Sequence, residues 1–409
     1  MGEMKPLANV RILDLSKVLA GPICTQALAA FGADVVKVEP VQGGDESRFW
    51  APVTHGVGAA FVSVNSGKRS IALDLKQEEA RLIVAGLAAR ADVIIESFAP
   101  GVAARLGIDH DALVGDRDDA IYCSISGWGQ RGPKSSAPGY DAILQAHSGL
   151  MAMNGEAARD PVRLPGSPID QVTGLYATQA ILAAVIERMR TGKGCRIEVS
   201  LLESAIKMLA PNLQAYWATG AVPQRAGSGH PSIAPYELFE TMDKPVLVAV
   251  ANDKFWRLFC DVANLNHLRD DVRFATNPDR VKHRDAVVTV VADAMRTRSA
   301  AEWMERLEAA GIPAAPLNSI ADIAEDRQAL AVDMFKICEH PDLGPTKIVR
   351  EPVIFDGQRT DPSLPPPALG QHTREILEGD LAYSPEKIDD LAARGVIHLG
   401  NANQRKACV

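Results

Sequence analysis

The sequence predicts an α/β protein in which helices cover a parallel sheet. An apolar run at residues 10–15 is typical of a buried strand, and a helix follows that begins near Pro22 and ends before Gly32. A second apolar strand at residues 34–39 completes a strand–helix–strand unit. Such units form parallel sheets with helices on their faces. Strand and helix patterns then continue to alternate along the chain, to about residue 219.

Chain length and composition indicate a globular protein with more than one domain. The 409 residues exceed the ~100–200 residues of an ordinary domain. Hydrophobic residues make up 47% of the chain and charged residues 23%, which suits a large core. The net charge of −8 argues against nucleic acid or an anionic membrane as the main partner. We expect no membrane span, since no apolar stretch reaches the ~20 residues that one needs.

The six cysteines predict free thiols in a reducing compartment. They are scattered, none forms a C-x-x-C pair, and none has a histidine nearby at the spacing of metal ligands. Residues 1–6 lack the apolar core of a signal peptide. We therefore expect a cytoplasmic protein, or an organellar matrix protein after processing, without a metal site.

The ends of the predicted strands offer candidates for ligand contact. Ligands of open parallel sheets bind at the carboxyl ends of the strands. Ser97 and Phe98 follow one predicted strand, and Arg105 lies on a short helix just beyond, although a surface arginine is the commoner explanation. Further elements are predicted as strands at 69–75, 92–97, 120–126 and 195–201 and helices at 77–90, 139–150 and 201–219.

Two nucleotide-binding motifs are excluded. The first strand–helix turn lacks the G-x-G-x-x-G pattern of dinucleotide binding. The lysine-containing stretch 66–70 resembles a P-loop only superficially, because Val62 stands where the upstream glycine is required and Arg69 follows the lysine.

A smaller second domain is expected at about residues 225–320. Prolines and glycines cluster between residues 221 and 235, which predicts a boundary or a functional loop. The proline-rich stretch 361–367 predicts an extended linker before two C-terminal helices.

The stretch 163–174 holds one acidic side chain at the start of a long apolar helix. Two prolines and a glycine direct an extended approach, and Asp170 follows. Aspartate is a favoured N-cap because its carboxylate accepts unpaired backbone N–H groups. It can also be a nucleophile held rigidly at the edge of a core. This stretch leaves both interpretations open.

Eight short motifs in order resemble the class III (CaiB/BaiF-type) CoA-transferase family, which includes formyl-CoA transferase and carnitine CoA-transferase. The resemblance spans nearly the whole chain and places Asp170 where the family carries its nucleophilic aspartate. The motifs lie at residues 10–22, 32–39, 67–74, 96–101, 139–141, 168–174, 311–318 and 369–373.

The resemblance implies a fold, a reaction and a set of contacts. The fold is a Rossmann-like large domain, here residues 1–210 and 325–409, plus a small α/β domain at 225–320, in an interlocked homodimer. The reaction moves CoA from an acyl-CoA to a free carboxylic acid through an aspartyl-acyl anhydride and an aspartyl-CoA thioester, with no tightly bound cofactor. The family's CoA contacts match Leu19, Ala20, Leu73, Lys76, Ser97, Phe98, Arg105 and Tyr140.

This reaction gives the start of the Asp170 helix two expected roles. Each attack forms an oxyanion that needs fixed N–H donors, and the first turn of the helix offers such donors. The helix dipole should also help to keep the carboxylate ionised.

Three positions depart from the family pattern. Pro40 stands where an arginine is often found, Leu19 where formyl-CoA transferase has glutamine, and Ser97 where asparagine is usual. These departures argue against the formyl-CoA and oxalate pairing.

A glycine loop resembles the branch that uses succinyl-CoA with dicarboxylates such as glutarate or itaconate. We expect a mobile substrate loop here, with Arg225 and His230 as candidates for a second carboxylate subsite, although a plain interdomain loop would have a similar composition. The loop residues are Gly227, Ser228, Gly229 and His230.

Two other functions compete with CoA transfer. An α-methylacyl-CoA racemase of the same fold needs two bases, and the family's racemases carry a histidine where this chain has Tyr140. The nearest histidine, His147, lies two turns further on and is expected to be a core residue. A non-catalytic CoA-binding protein is the third possibility, and the intact Asp170 stretch argues against it.

Overall fold

The structure, a computed structural model, describes residues 4–400, which form two compact units. Within these residues the first unit comprises 4–148, 164–213 and 330–400, and the second comprises 149–163 and 214–329. Residues 149–163 lie inside the range that the sequence assigned to the large domain, but they group with the second unit.

The strands of the described chain fall into one large sheet and several small ones. In chain order they are β1 Arg11–Leu15, β2 Asp34–Pro40, β3 Val53–Thr54, β4 Val57–Gly58, β5 Lys68–Leu73, β6 Val93–Glu96, β7 Ile121–Ser126, β8 Arg196–Ser200, β9 Tyr236–Phe239, β10 Val246–Ala249, β11 Ala314–Pro316, β12 Phe335–His340, β13 Gly344–Val349, β14 Ile354–Phe355, β15 Gln358–Arg359 and β16 Ile397–His398.

The α-helices range from four to 24 residues in length. In chain order they are α1 Ala20–Ala30, α2 Ala59–Val64, α3 Glu78–Ala88, α4 Val102–Leu106, α5 His110–Leu113, α6 Asp141–Ser148, α7 Pro168–Thr191, α8 Leu201–Met208, α9 Ala210–Thr219, α10 Asp253–Val262, α11 Asn277–Lys282, α12 Arg284–Met295, α13 Ala300–Ala309, α14 Ile320–Ala324, α15 Arg327–Ala331, α16 Thr373–Gly379 and α17 Pro385–Ala393.

A seven-stranded sheet forms the centre of the first unit, in the order β16-β5-β2-β1-β6-β7-β8. Every pair is parallel except β16 with β5. In the register, Leu13 of β1 lies between Val36 and Ile94 of its neighbours. The strands next to the centre are buried on both faces, as parallel strands covered by helices are. The predicted α/β class with a parallel sheet is confirmed.

Helices α1 and α7 pack side by side in the first unit. Gly174 allows this close approach, because a Cβ there would lie 2.7 Å from the carbonyl oxygen of Ala20. One turn further along, the side chains of Thr178 and Cys24 are hydrogen-bonded. The two helices therefore run in parallel register, with Gly174 beside Ala20 and Thr178 beside Cys24.

By length and hydropathy α7 could cross a membrane, contrary to the expectation from the sequence. It has 24 residues and a window with mean hydropathy 1.3, half of which is buried in the fold. Its packing against α1, β7 and β8 accounts for the apolar composition, as in the core helix of a globular protein.

The second unit has its own small sheet and core. Strands β9, β10 and β11 pair antiparallel. Helices supply an aromatic cluster in which the rings of Trp256, Phe259 and Trp303 stack in sequence. This core is separate from that of the first unit.

The proline-rich stretch 361–367 is packed, although its composition predicts a linker. Pro366 and Pro367 are buried. The carbonyl oxygen of Leu364 accepts the N–H of Gly67, and that of Pro367 accepts a hydrogen bond from the guanidinium of Arg48. The segment thus joins the C-terminal helices to the central sheet.

Candidate active site

Asp170 lies in the first turn of α7, as its third residue. The N-cap is Ser167, whose φ of 52° is left-handed and whose side chain makes no capping hydrogen bond. The interpretation of Asp170 as an N-cap is therefore wrong, because the helix begins two residues before it at Pro168.

Asp141, the first residue of α6, caps α7 from outside the helix. Its Oδ2 accepts the backbone N–H of Ile169 at 2.7 Å and that of Asp170 at 3.2 Å. The buried Gln145 side chain donates to the other oxygen of Asp141 and also bonds both the N–H and the carbonyl oxygen of Leu164. This network fixes the approach to α7. It also occupies N–H groups at the helix start that were expected to bind oxyanions.

The Asp170 carboxyl is largely buried and lies close to a second acid. Burial, followed by the negative charge of Asp141, raises the pKa of Asp170 from 3.8 to about 7. The sequence had predicted the opposite direction, through the helix dipole of α7. Within residues 4–400, no ion pair joins a cation to this carboxyl. Asp170 is therefore a carboxyl whose charge is poorly stabilised, which suits a group that reacts.

A pocket of about 420 Å³ opens at the carboxyl ends of the central strands. Leu73, Lys76 and Phe98, three of the predicted CoA contacts, line it. Lys17 and Glu46 also line it and form an exposed ion pair with each other. The pocket therefore combines apolar side chains with charged groups, of which Lys17 and Glu46 are exposed at its rim.

A network of buried ion pairs lies beneath this pocket. Asp14 pairs with Lys68 at 3.2 Å, and Asp45 pairs with Lys37 at 3.0 Å. Each of these four side chains is at most about 2% exposed. Glu39 and Arg48 form a third pair, with a bidentate contact at 2.7 and 2.8 Å. Burial alone would raise the pKa of Asp14, Glu39 and Asp45, but their cationic neighbours outweigh it and lower all three.

The turn between β1 and α1 connects the pocket with the Asp170 region. Ser16 and Lys17 line the pocket. Ser97 Oγ accepts the N–H of Lys17 at 2.9 Å, which ties the turn to the end of β6. The carbonyl oxygen of Ala20 lies against Gly174, which is one helical turn after Asp170 on α7. The predicted residue Ala20 thus lies on the part of α1 that packs against the start of α7, and Leu19 directly precedes it.

Five predicted CoA contacts are not part of the pocket lining, namely Leu19, Ala20, Ser97, Arg105 and Tyr140. Arg105 is exposed on α4, whereas its neighbour Leu106 lines the pocket. Tyr140 is 54% exposed and directly precedes α6. His147 is exposed rather than in the core as expected, and its ring packs edge-on against Trp128.

The glycine loop lies in the second unit. Gly227 has a φ of 58°, and a Cβ there would lie 2.5 Å from the Glu156 carboxylate. Ser228 Oγ accepts the N–H of Leu238, and Gly229 is held by a bond from its N–H to the carbonyl oxygen of Ala226.

The two cationic candidates of this loop differ. Arg225 donates to the carbonyl oxygens of Ala152, Glu156 and Ala157, so its guanidinium supports the backbone. The ring of His230 stacks on Tyr236, and its Nδ1 accepts the N–H of Ser232, which leaves the ring proton on Nε2.

Sequence reasoning missed several residues of this region. Lys17, Asp45 and Glu46 lie at or under the pocket, and Asp141 accepts the first N–H groups of α7. A signal was available, since Asp45 and Glu46 follow the end of a predicted parallel strand, where ligand sites form. Among residues 4–400, no group of three or more His, Cys, Asp or Glu side chains is arranged to hold a metal ion.

Comparison with known proteins agrees with these features. The sequence model of CoA-transferase family III matches residues 7–373. A succinyl-CoA:glutarate CoA-transferase of Mus musculus is 38% identical over 396 residues, which cover 97% of this chain and 91% of that protein. A succinate–glutarate CoA-transferase of Agrobacterium fabrum is 37% identical, covering 91% and 95%.

A solved structure shows the same fold. A CAIB/BAIF family protein from Brucella suis superposes with a TM-score of 0.83 at 35% identity, covering 92% of this chain and 99% of that one. The resemblance found in the sequence motifs is confirmed, and the chain belongs to CoA-transferase family III, a family of transferase enzymes.

Proposed function

We propose that this enzyme transfers CoA from succinyl-CoA to a free dicarboxylate, with Asp170 as the nucleophile. The observation that carries the proposal is the largely buried carboxyl of Asp170, whose raised pKa marks a charge without a stabilising partner. The activities named for the mouse and Agrobacterium fabrum relatives, both of which pair succinate with glutarate, support the donor and the acceptor class.

The chemistry follows from a carboxylate nucleophile. Asp170 attacks the thioester carbonyl and the C–S bond breaks. CoA departs as the thiolate, and the acyl group remains on Asp170 as a mixed anhydride. The thiolate then attacks the aspartyl carbonyl, which releases the donor acid and leaves an aspartyl-CoA thioester. The acceptor carboxylate attacks that thioester, and the returning thiolate attacks the acceptor's carbonyl, which frees Asp170. The anhydrides hydrolyse readily, so burial of Asp170 protects them.

The pocket is the proposed site for CoA itself. Leu73 and Phe98 offer apolar surface, and Lys17 and Lys76 offer cations for phosphate oxygens. Leu19 and Ala20 follow the pocket-lining residue Lys17 in the chain, and Ser97 accepts the N–H of Lys17. Arg105 and Tyr140 remain candidates on the strength of the family resemblance alone.

Of the two cationic candidates in the glycine loop, we propose His230 as the one able to donate to a carboxylate. Its Nε2 carries the ring proton, whereas the guanidinium of Arg225 already donates to three backbone carbonyls. The role of Gly227, Ser228 and Gly229 as a substrate loop rests on the family resemblance.

A homodimer is part of the proposal. Leu175, Ile186 and Met189 are 53, 59 and 83% exposed and recur along one face of α7. A second copy of the chain would cover this apolar stripe. The mass of the protein in solution tests this, and a monomer at micromolar concentration contradicts it.

Intact-protein mass spectrometry tests the nucleophile. After incubation with succinyl-CoA, we expect an adduct on the wild-type protein whose mass equals CoA minus water. Addition of glutarate should discharge it and produce glutaryl-CoA. Asp170→Ala should form no adduct and should lose transfer activity by about 10⁴-fold or more.

The control is Asp116→Ala, which removes an exposed aspartate of the first unit and should form the adduct normally. An adduct that persists in Asp170→Ala would contradict the assignment of the nucleophile. Deuterium exchange at the α-carbon of a 2-methylacyl-CoA, without any acceptor acid, would indicate the racemase instead.

A further inference from the structure

A buried carboxyl that the reaction does not use lies at the end of β6. Glu96 is the last residue of that strand and is 4% exposed. Burial raises its pKa, and the hydrogen bonds and the charge of Arg196 that oppose this effect do not outweigh it. Such a group is costly inside a fold, since an apolar side chain would fill the same space without a charge to desolvate. Its contribution must therefore lie in the hydrogen bonds that it accepts.

These hydrogen bonds hold the turn that follows β6. The strand register places Ser124 of β7 directly beside Glu96, and the hydroxyl of Ser124 donates to the carboxyl. The Oε2 atom of Glu96 accepts the backbone N–H of Phe98 at 2.7 Å. The carboxyl thus connects the backbone two residues further along the chain to the neighbouring strand.

The turn that Glu96 holds forms part of the pocket wall. Phe98 lines the pocket, and its side chain also packs against the core of the first unit. Ser97, between Glu96 and Phe98, accepts the N–H of Lys17, which is another residue of the pocket lining. The direction of Phe98 therefore depends on a carboxyl that does not itself line the pocket.

We propose that Glu96 is a positioning residue for CoA binding, which orients Phe98 in the pocket wall through the hydrogen bond to its backbone N–H. This inference rests on the proposed function, in which the pocket holds CoA. A preorganised apolar wall raises the affinity for a ligand, because less freedom is lost when the ligand binds. Without the acceptor, the N–H of Phe98 turns to water and the side chain takes other directions. The affinity for succinyl-CoA then falls, while the chemistry at Asp170 continues.

The steady-state kinetics of Glu96→Met test this role. Methionine fills a similar volume but is only a weak acceptor, so KM for succinyl-CoA should rise about tenfold. Because only binding is lost, kcat and KM for glutarate should change by less than about twofold. Glu96→Gln keeps an oxygen that can accept the N–H of Phe98, so its KM for succinyl-CoA should stay within about threefold of the wild-type value.

A double-mutant cycle with Phe98→Ala shows whether the effect passes through that side chain. Phe98→Ala alone should raise KM for succinyl-CoA by about tenfold or more, since it removes apolar surface from the pocket. Glu96→Met should add less than about twofold in this background, because there is no ring left to position. If Glu96→Met does not fold, Ser124→Ala takes its place in the cycle. Loss of the hydroxyl that holds the carboxyl should raise KM about threefold.

Asp92→Leu is the matched control. Asp92 directly precedes β6 at its opposite end, where its Oδ2 accepts the backbone N–H of Arg11 at 2.8 Å. It holds a backbone N–H as Glu96 does, but at the amino end of the strand, away from the pocket. The control should therefore lower the thermal stability without changing KM for succinyl-CoA.

Two results overturn the proposal. One is a KM of Glu96→Met within about twofold of the wild-type value, or an effect that adds fully to that of Phe98→Ala. The other is a loss of kcat in Glu96→Gln at unchanged KM, which would mean that the carboxyl takes part in proton transfer. A wild-type protein that forms no CoA adduct would instead refute the proposed function, so the two failures are distinguishable.

Discussion

Two sets of buried carboxylates in the first unit behave in opposite ways. Asp14, Glu39 and Asp45 lie beneath the pocket, and the pKa of each is lowered. Asp170 lies at the start of α7, and its pKa is raised to about 7. Burial acts in the same direction on all four, since it always disfavours the charged form. The difference therefore comes from the neighbours of each carboxyl.

The neighbouring side chains differ in the sign of their charge. Each carboxylate under the pocket has a cation within 3.2 Å, and together the three acids and three bases are neutral. The neighbour of Asp170 is another acid, Asp141, whose carboxylate accepts backbone N–H groups of α7. Paired acids thus hold the sheet and the turn in place, whereas the carboxyl without a cation is the one available for chemistry.

Asp14→Asn should produce the largest change in stability. It leaves Lys68 and Lys37 without their shared carboxylate, and breaking a buried ion pair costs about 3–5 kcal/mol. Because the folded-state pKa of Asp14 is lowered, its contribution is complete above the unfolded-state pKa and disappears as the pH falls through the folded-state value. The free energy of unfolding from urea titration at pH 7.5 measures the effect.

Asp34→Asn is the control for this variant. Asp34 pairs with Arg69 at 2.7 Å, but its side chain is 45% exposed, so the loss should stay below about 1 kcal/mol. Equal losses for the two variants would contradict the distinction between buried and exposed pairs.

Asp170→Asn should change stability in the opposite direction. The folded-state pKa of about 7 exceeds the usual 3.8, so the folded protein binds the extra proton between these values. Stability therefore falls as the pH rises through this window, and the full penalty applies above about pH 7. At pH 8 the variant should be more stable than the wild type by about 2–4 kcal/mol, and at pH 5.5 by clearly less. A pH-independent difference in thermal unfolding would contradict the assigned shift.

Asp141→Asn should alter the pH profile of the reaction. The wild-type kcat/KM for succinyl-CoA should rise with pH and level off above an apparent pKa near 7, as Asp170 ionises. Removing the charge of Asp141 while keeping an acceptor oxygen should lower the apparent pKa of this rise by about one unit. An unchanged apparent pKa would mean that burial alone sets the pKa of Asp170.

The sequence predicted the central sheet well because its strands have local signals. Apolar runs bounded by turn residues located β1, β2 and β5–β8 within a few residues. The hairpin of β12 and β13 escaped notice because half of the residues in each strand are exposed and no apolar run marks it. The edge strand β16 has only two residues. Its pairing with β5 depends on how the C-terminal helices return to the sheet.

The candidate site was predictable only where one residue carries the signal. Asp170 follows a distinctive stretch, which left both a helix cap and a nucleophile open, and the family resemblance then favoured the nucleophile. Asp141 lies 29 positions earlier, and its contact with α7 depends on helix packing that no local pattern reveals. The hydrogen bond from the N–H of Val18 to Asp45 likewise joins residues 27 positions apart.

Lys17→Ala should change stability little, and it sharpens the contrast between the buried and the exposed ion pairs. Lys17 and Glu46 contact each other at the pocket rim with 46 and 48% of their side chains exposed. Water screens such a pair, so its removal should change the free energy of unfolding by less than about 1 kcal/mol. If Lys17 also meets CoA phosphate, KM for succinyl-CoA should rise several-fold at low ionic strength and less at high salt. Glu46→Gln, which frees the lysine, should lower KM instead, and equal responses of the two variants would remove Lys17 from the binding site.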